Sequence, residues 1–419
     1  MTPTGGPAPR AADALKQIVA PSRHFARLVW PLSFVQLISW GTLYYSFTLF
    51  LGPMERELGW SRAELTAGLT IGIVTAGLAS MPLGRLIDKG HGRAVMTLGS
   101  VLAGALLFGW SEVQSLTAYF ALWLGLGVAM AATLYEPAFA ILVRSLGPAA
   151  KRGVATMTLV GGFASTLAIP LCHILITSLG WRETLVVLAG VNIVLGGAIH
   201  LLAIVSAGAP QPESSAANPA QPSDVARVLR GPAFWCLCLA YAAGAFAVSA
   251  MIFHMVPLLS ERGYPVAAAV AALAVIGPSQ IAGRVLVTVV LPKLSLLGTG
   301  LIALGLPALG LMMLLAGTGT HWAVIGFGIC LGVGNGIATI ARANSVAELV
   351  AATSFGAVNG AMSLPISLGR AFAPSLASLV WAATGGYDAV LWGLIAIAGL
   401  SVLSFALGIS LARTAAPPG

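Results

Sequence analysis

The chain has 419 residues, of which 58% are hydrophobic and only 8% charged, with a formal net charge of +8. Soluble proteins carry about 25% charged residues. No soluble fold of this length hides so much apolar surface, so the composition excludes a soluble domain and requires a polytopic membrane protein.

The N-terminus is rich in Pro and Gly and then weakly basic. It has no cleavable signal pattern and reads as a tail, residues 1–27. A helix needs about 20 residues to cross the hydrocarbon core, and charges mark its ends. Residues 28–54 and 65–84 lack Asp, Glu, Lys and Arg and predict helices 1 and 2. Helices 3 and 4 fall near 94–111 and 115–143, helices 5 and 6 near 153–178 and 184–206. Residues 207–230, rich in Pro, Ala and Ser, read as a linker. Helices 7 and 8 follow near 231–258 and 266–291. Residues 294–341 are free of charge for 48 positions, too long for one crossing, and "AGTGTHW" splits them into helices 9 and 10. Helices 11 and 12 fall near 355–381 and 389–411, before a tail, residues 413–419. The expected fold class is an all-α polytopic membrane protein with twelve transmembrane helices.

The basic residues orient these spans. With the N-terminus in the cytoplasm, 15 of the 21 Lys and Arg fall on the cytoplasmic side. Only Arg56, Arg62, Arg182 and Arg262 fall opposite. This is a positive-inside bias, and it accounts for the basic charge without nucleic acid. The expectation is a multi-pass protein of a bacterial-type inner (plasma) membrane, both termini cytoplasmic. Cys172, Cys236, Cys238 and Cys330 sit in apolar runs, which is neither a disulfide framework nor a metal spacing. No cofactor or metal is expected. No H-E-x-x-H or G-x-S-x-G stretch and no paired intramembrane aspartates speak for an enzyme.

The two halves echo each other. "GPMERELGW" after helix 1 resembles "VPLLSERGY" after helix 7: Pro53 and Pro257, Gly59 and Gly263, Trp60 and Tyr264 share an offset of 204. "GWRETL" before helix 6 resembles "GYDAVL" before helix 12. With the linker, this predicts a duplicated unit, 28–206 and 231–412. Such repeats place a substrate site near the midplane between the halves.

Between helices 2 and 3 stands "GRLIDKGHGR". It resembles the loop signature of the major facilitator superfamily, with Gly84, Asp88, Gly92 and Arg93 as the matching gating residues. The resemblance implies two pseudo-symmetric six-helix bundles, the major facilitator fold, working by alternating access. Gly84 lets a neighbouring helix approach closely. Asp88 suits the N–H groups of a helix N-terminus; the resemblance implies that this helix is 11 and that the contact latches the cytoplasmic side. At the same offset the second half carries Thr288 and Pro292, so the latch is expected to be one-sided.

Three charges fit no loop: Glu136, Arg284 and Arg370. A charge in the bilayer costs at least about 2.5–3.5 kcal/mol and needs a partner or an aqueous cavity. Two guanidinium groups against one carboxylate leave the interior cationic, which suits an anionic substrate, since guanidinium holds carboxylate with two parallel hydrogen bonds. The plain alternative for each arginine is a pair with Glu136 that merely ties helices together. Glu136, beside Pro137, reads as either a structural partner or a protonatable coupling site. Gln36, Trp40, Tyr44 and Tyr45 make helix 1 polar for its depth, and Trp40 and Tyr44 share a face; they line a cavity or pack. His254 is a titrating candidate or a satisfied helix-end histidine. Asn335 and Asn359 are candidate cavity donors. His173 and His200 read as packing or interfacial residues.

The stretch "AAKRGVATMTLVGGFAS", with Arg284 on helix 8 and "HMVPLLSERGY" ending helix 7, resembles the monocarboxylate-porter and oxalate–formate-exchanger branch. Gln280 departs from the branch aspartate and Thr48 from its helix 1 lysine. The resemblance implies secondary transport of a small organic anion, most simply a monocarboxylate, with a proton or counter-substrate as coupling partner and the bilayer as surroundings, by a monomer. Arg370, Arg284, Tyr44, Trp40, Gln36, Asn335 and Asn359 are the candidate substrate residues, Glu136 and His254 the candidates for proton coupling. The rival reading is an exporter of hydrophobic or cationic compounds, which would favour buried carboxylates over buried guanidiniums.

Overall fold

The structure is a computed structural model that describes residues 23–206, 222–317, 321–349 and 354–415. The expected tails before residue 23 and after 415, most of the linker (207–221) and the centre of "AGTGTHW" (318–320) lie outside the described residues.

Lipid offers the backbone no hydrogen-bond partner, so long apolar runs fold as helices. Ten helical runs among the described residues are long and apolar enough to cross a bilayer. Two of them are double. Arg62–Ser111 spans 50 residues, about 75 Å at 1.5 Å per residue, and it turns back at Gly90, whose φ of 94° suits glycine. Leu116–Leu179 turns likewise at Gly147. The crossings are therefore twelve.

α1 comprises Arg23–Trp40, a π-helical turn Gly41–Tyr45, and Phe47–Leu58. α2 is Arg62–Leu86 and α3 Gly92–Ser111. α4 is broken into Leu116–Thr133 and Tyr135–Leu146, and α5 into Ala150–Gly161 and Ala164–Leu179. α6 runs through Trp181–Val191, Asn192–Gly197 and Ala198–Ser206. α7 is Pro232–Glu261, α8 Val266–Val285 with a π turn Leu286–Val290, and α9 Leu296–Ala316. α10 is His321–Leu349, α11 Phe355–Thr384 and α12 Tyr387–Ala415. One boundary moves materially: the charge-free run ends at 341, but α10 continues two turns further and carries Arg342 inside the helix.

An even number of crossings puts both ends of the described chain on one face, here the near face; the other is the far face. Large apolar side chains such as Leu403, Leu379 and Leu98 point outward at 70%, 65% and 66% exposure, which is the lipid-facing belt. Inside, the repeat is visible in contacts. Glu57, at the far end of α1, binds Trp181 Nε1 at 2.6 Å and Arg182 Nε at 2.8 Å at the start of α6. Glu261, 204 positions on at the end of α7, accepts from the Tyr387 N–H at 2.9 Å and from Trp381 Nε1 at 2.8 Å beside the start of α12. Gly59 and Gly263 follow with φ of 71° and 78°. A Cβ at Gly127 of α4 would strike the Gly72 carbonyl of α2, and one at Gly332 of α10 the Ile276 carbonyl of α8.

The buried core tells which way the two halves lean. On the near side one continuous apolar cluster includes Phe139, Ile141 and Met157 from the first half and Ile340, Met362 and Ile366 from the second. Toward the far side the core splits into one cluster within each half. The far segments of α1 and α5 pack chiefly within their own half. The halves are thus sealed together at the near face and part toward the far face.

The seal includes a close crossing of α2 and α11. A Cβ at Gly84 would run into the Gly356 carbonyl, and one at Gly360 into the Ser80 carbonyl. Gly84→Leu should therefore drive the near ends of the halves apart. Spin labels on Arg93→Cys and Glu348→Cys, in a chain freed of native cysteines, are expected to report a longer distance by pulsed EPR; an unchanged distance distribution would refute this account of the seal.

Candidate functional site

Among the described residues, three polar contacts that join the halves stand out, all on the near side of the midplane. The first is at the α2–α3 loop. Asp88 Oδ1 accepts from the Gly356 N–H at 2.9 Å and Oδ2 from the Ala357 N–H at 2.7 Å. These are unsatisfied donors in the first turn of α11, where negative charge is favoured. Arg144, at the end of α4, donates to the Asp88 carbonyl and holds the loop in place. Arg144 escaped the sequence reading because basic residues at helix ends are ordinary. Gly92 packs under Ile141, and Arg93 is exposed.

The second contact is an ion pair inside the membrane. Arg342 Nη2 of α10 lies 2.7 Å from Glu136 Oε1 of α4. Ser363 of α11 stands 3.5 Å from the same oxygen. The sequence reading assigned Arg342 to a loop and expected Glu136 to face Arg284 or Arg370; the longer α10 corrects this. Glu136 is positioned by the break in α4. Pro137 has no N–H for the Thr133 carbonyl four residues back, and Leu134 leaves the helical region (φ −77°, ψ −157°). Gln36 Nε2 fills the gap, donating to the Thr133 carbonyl at 2.8 Å and the Leu134 carbonyl at 3.3 Å. Gln36 is fully buried. Its placement is that of a pin for the α4 break rather than of a cavity-lining donor.

The third contact is made by Arg284 of α8. Its Nη1 donates to the Thr158 carbonyl of α5 at 2.9 Å, and it sits where a Cβ on Gly162 would be. It is only 4% exposed, and its Nε has no partner. Next to it, Tyr135 Oη occupies the space over Gly161, where a Cβ would come within 2.5 Å. The "GG" of α5 is therefore a notch that seats one guanidinium and one phenol side by side.

Arg370 lies near the middle of α11, 15 residues from Phe355, or about 22 Å along the axis. It is exposed. Asn359, Ser363 and Arg370 repeat at i, i+4, i+11 and so share one face of α11, the face on which Ser363 meets Glu136. The charge of Arg370 lies within electrostatic reach of Glu136 and Tyr45, and that of Arg284 within reach of Tyr45 and Tyr135. Arg284 bonds the first half directly, and Arg370 shares the α11 face on which Ser363 meets Glu136, so both stand at the boundary between the halves. The Ser249 hydroxyl of α7 donates to the Arg370 carbonyl at 2.8 Å and steadies this turn.

The remaining candidates divide. Trp40, Tyr44 and Tyr45 are half-buried around the π turn of α1. Asn335, also half-buried, stands two turns from Arg342 on the same face of α10. Asn359 is wholly buried and both its amide atoms lack partners, so it does not line an open space in this conformation. His254 is remote from Glu136: Nδ1 lies 2.8 Å from Tyr387 Oη and Nε2 2.9 Å from the Pro374 carbonyl. Nε2 must carry the proton it donates to that carbonyl. Both ring nitrogens are occupied, the arrangement of a satisfied helix-end histidine. His200 is buried against Ser100, while His173 is exposed on the outer surface of α5. All four cysteines are free, and no metal-binding cluster occurs among the described residues.

Deleting one partner of a buried ion pair costs up to about 3–5 kcal/mol. Glu136→Gln and Arg342→Gln should therefore each loosen the near-face seal. A cysteine introduced as Asn335→Cys, with the native cysteines removed, is expected to react faster with a maleimide applied from the near side in either variant. The reversed pair, Glu136→Arg with Arg342→Glu, should recover most of the protection. Equal reactivity in all four chains would show that the pair does not hold the seal.

A profile described as the Major Facilitator Superfamily matches residues 29–374. A comparison with curated protein sequences finds no match. Among solved structures, the transporter FucP in its outward conformation is similar at a TM-score of 0.69 and 17% identity, covering 94% of this chain and all of the other. A single-site variant of the same E. coli fucose:proton symporter gives 0.67, covering 94% of this chain and 98% of that one. The human organic anion transporter MFSD10 (TETRAN) gives 0.68 at 17% identity, covering 93% of this chain and all of the other. The profile covers well over half of the sequence, and the twelve-helix architecture agrees with it: the chain belongs to the Major Facilitator Superfamily.

Proposed function

We propose that this protein is a secondary active transporter of a small organic anion, most simply a monocarboxylate, working by alternating access. The near face is the cytoplasmic one on this reading, because the basic residues concentrate there. The conformation described here is then closed to the cytoplasm and opens outward, with both termini inside a bacterial-type inner membrane. Arg370 clamps the carboxylate and Arg284 assists. Asp88 and the Glu136–Arg342 pair hold the cytoplasmic side shut.

One observation carries the proposal. Glu136 is the one acidic residue in the sequence that lies away from the ends of the predicted crossings, and Arg342 pairs with it. Arg284 and Arg370 therefore face the cleft with no carboxylate of their own, one buried with an unpartnered Nε and one exposed. An anion that enters the cleft supplies the missing charge, and a cation would be repelled. This weighs against the exporter of cationic compounds. The printed name of MFSD10 as an organic anion transporter agrees with this direction but, at 17% identity, speaks to the fold.

Coupling follows from the same pair. Protonation of Glu136 removes the charge that Arg342 holds, and the seal weakens. A proton on Glu136, or a counter-substrate anion that engages Arg342, would let the halves rock.

Hydrogen bonds to charged groups contribute about 1.5–3 kcal/mol, so Arg370→Gln should weaken carboxylate binding about ten- to a hundredfold. The measurement is competition of unlabelled monocarboxylates against radiolabelled uptake in proteoliposomes, with Arg370→Lys recovering part of the loss. Wild-type affinity in Arg370→Gln would overturn the clamp.

A further inference from the structure

The cationic side of the cleft faces an aromatic one. The π turn Gly41–Tyr45 in α1 carries two consecutive rings, Tyr44 and Tyr45, directly after Trp40; such turns often occur at functional sites. Trp40 meets Tyr44 edge-on at 5.5 Å, Tyr45 at 6.0 Å and Tyr135 at 5.1 Å. Tyr135 in turn stacks on Phe139 at 5.2 Å with an interplanar angle of 11°. The ladder ends at the glycine notch of α5, where Tyr135 Oη and Arg284 Nη1 sit over adjacent residues. Tyr45 lies within electrostatic reach of both Arg284 and Arg370. Two donors beside this wall, Trp40 Nε1 and Arg284 Nε, are buried without partners.

This asymmetry bears on what the anion is attached to. A small hydroxy acid or a dicarboxylate needs polar donors for its far end. Here the surface beside Arg284 is built from the rings of Trp40, Tyr45 and Tyr135, mostly carbon, with Trp40 Nε1 and the phenol hydroxyls as scattered donors. Flat rings favour offset or edge-on packing against such a wall, while guanidinium takes the carboxylate. Resting on the organic-anion reading above, we propose that the substrate is an aromatic monocarboxylate. Its carboxylate binds Arg370 and Arg284, and its ring lies against Trp40, Tyr45 and Tyr135.

The test uses the full-length purified chain and compares benzoate and phenylacetate with acetate and lactate, by thermal shift and by competition for uptake. The aromatic acids are expected to bind at least about tenfold more tightly than the aliphatic ones, and Trp40→Leu to shrink that ratio. If acetate or lactate binds as well as benzoate, the aromatic proposal is overturned while the anion reading stands. If no carboxylate of either kind stabilises the protein, both fall. The comparison of ligands on the unaltered chain decides the matter even where Trp40→Leu does not fold.

Discussion

The structure turns on one ion pair. Glu136 and Arg342 meet at 2.7 Å across the boundary between the halves. An unpaired charge in a membrane is costly, so this pair ties α4 to α10 and closes the near side. It also removes the only intramembrane carboxylate from the electrostatic balance. Neither Arg284 nor Arg370 then has a carboxylate partner among the described residues.

α11 carries this coupling along its length. Its first turn is capped by Asp88, its glycines cross α2, Ser363 touches Glu136, and Arg370 reaches the cleft. These features lie on one helix, with Pro365 inserted between Ser363 and Arg370. Asn359, buried between them without partners, marks a local cost of this conformation. A rearrangement that gave it a partner would relieve that cost.

The repeat is kept where the halves must hold themselves together and lost where they must come apart. At the far face Glu57 and Glu261 do equivalent work, each binding its own half's α6 or α12 region. At the near face Asp88 has no equivalent, since Pro292 stands in its place. In the second half the corresponding region instead offers Arg284 to the α5 backbone. Two different contacts, one to a helix N-terminus and one to a carbonyl, close the two sides of the same interface.

Hydropathy alone gives the membrane class and the twelve crossings, because crossing oil demands long apolar helices whose ends are charged; the repeat shows in the short motifs that recur at an offset of 204. The loop motif was legible as well: the resemblance implies that Asp88 meets the start of helix 11, and the Gly356 and Ala357 N–H groups do donate to it. The site was legible only in part. Glu136, Arg284 and Arg370 stood out as charges in apolar runs, and Pro137 marked the freed carbonyl. Which charge meets which was not legible. In the structure α10 runs past Arg342, Gln36 Nε2 reaches the Thr133 carbonyl, and the His254 ring lies between Tyr387 Oη and the Pro374 carbonyl. Partners of this kind lie more than ninety residues apart in the chain, and a polar group announces its presence in a sequence but not its neighbour. Depth in the membrane follows from one helix, whereas pairing needs two helices in register, and only their packing supplies that.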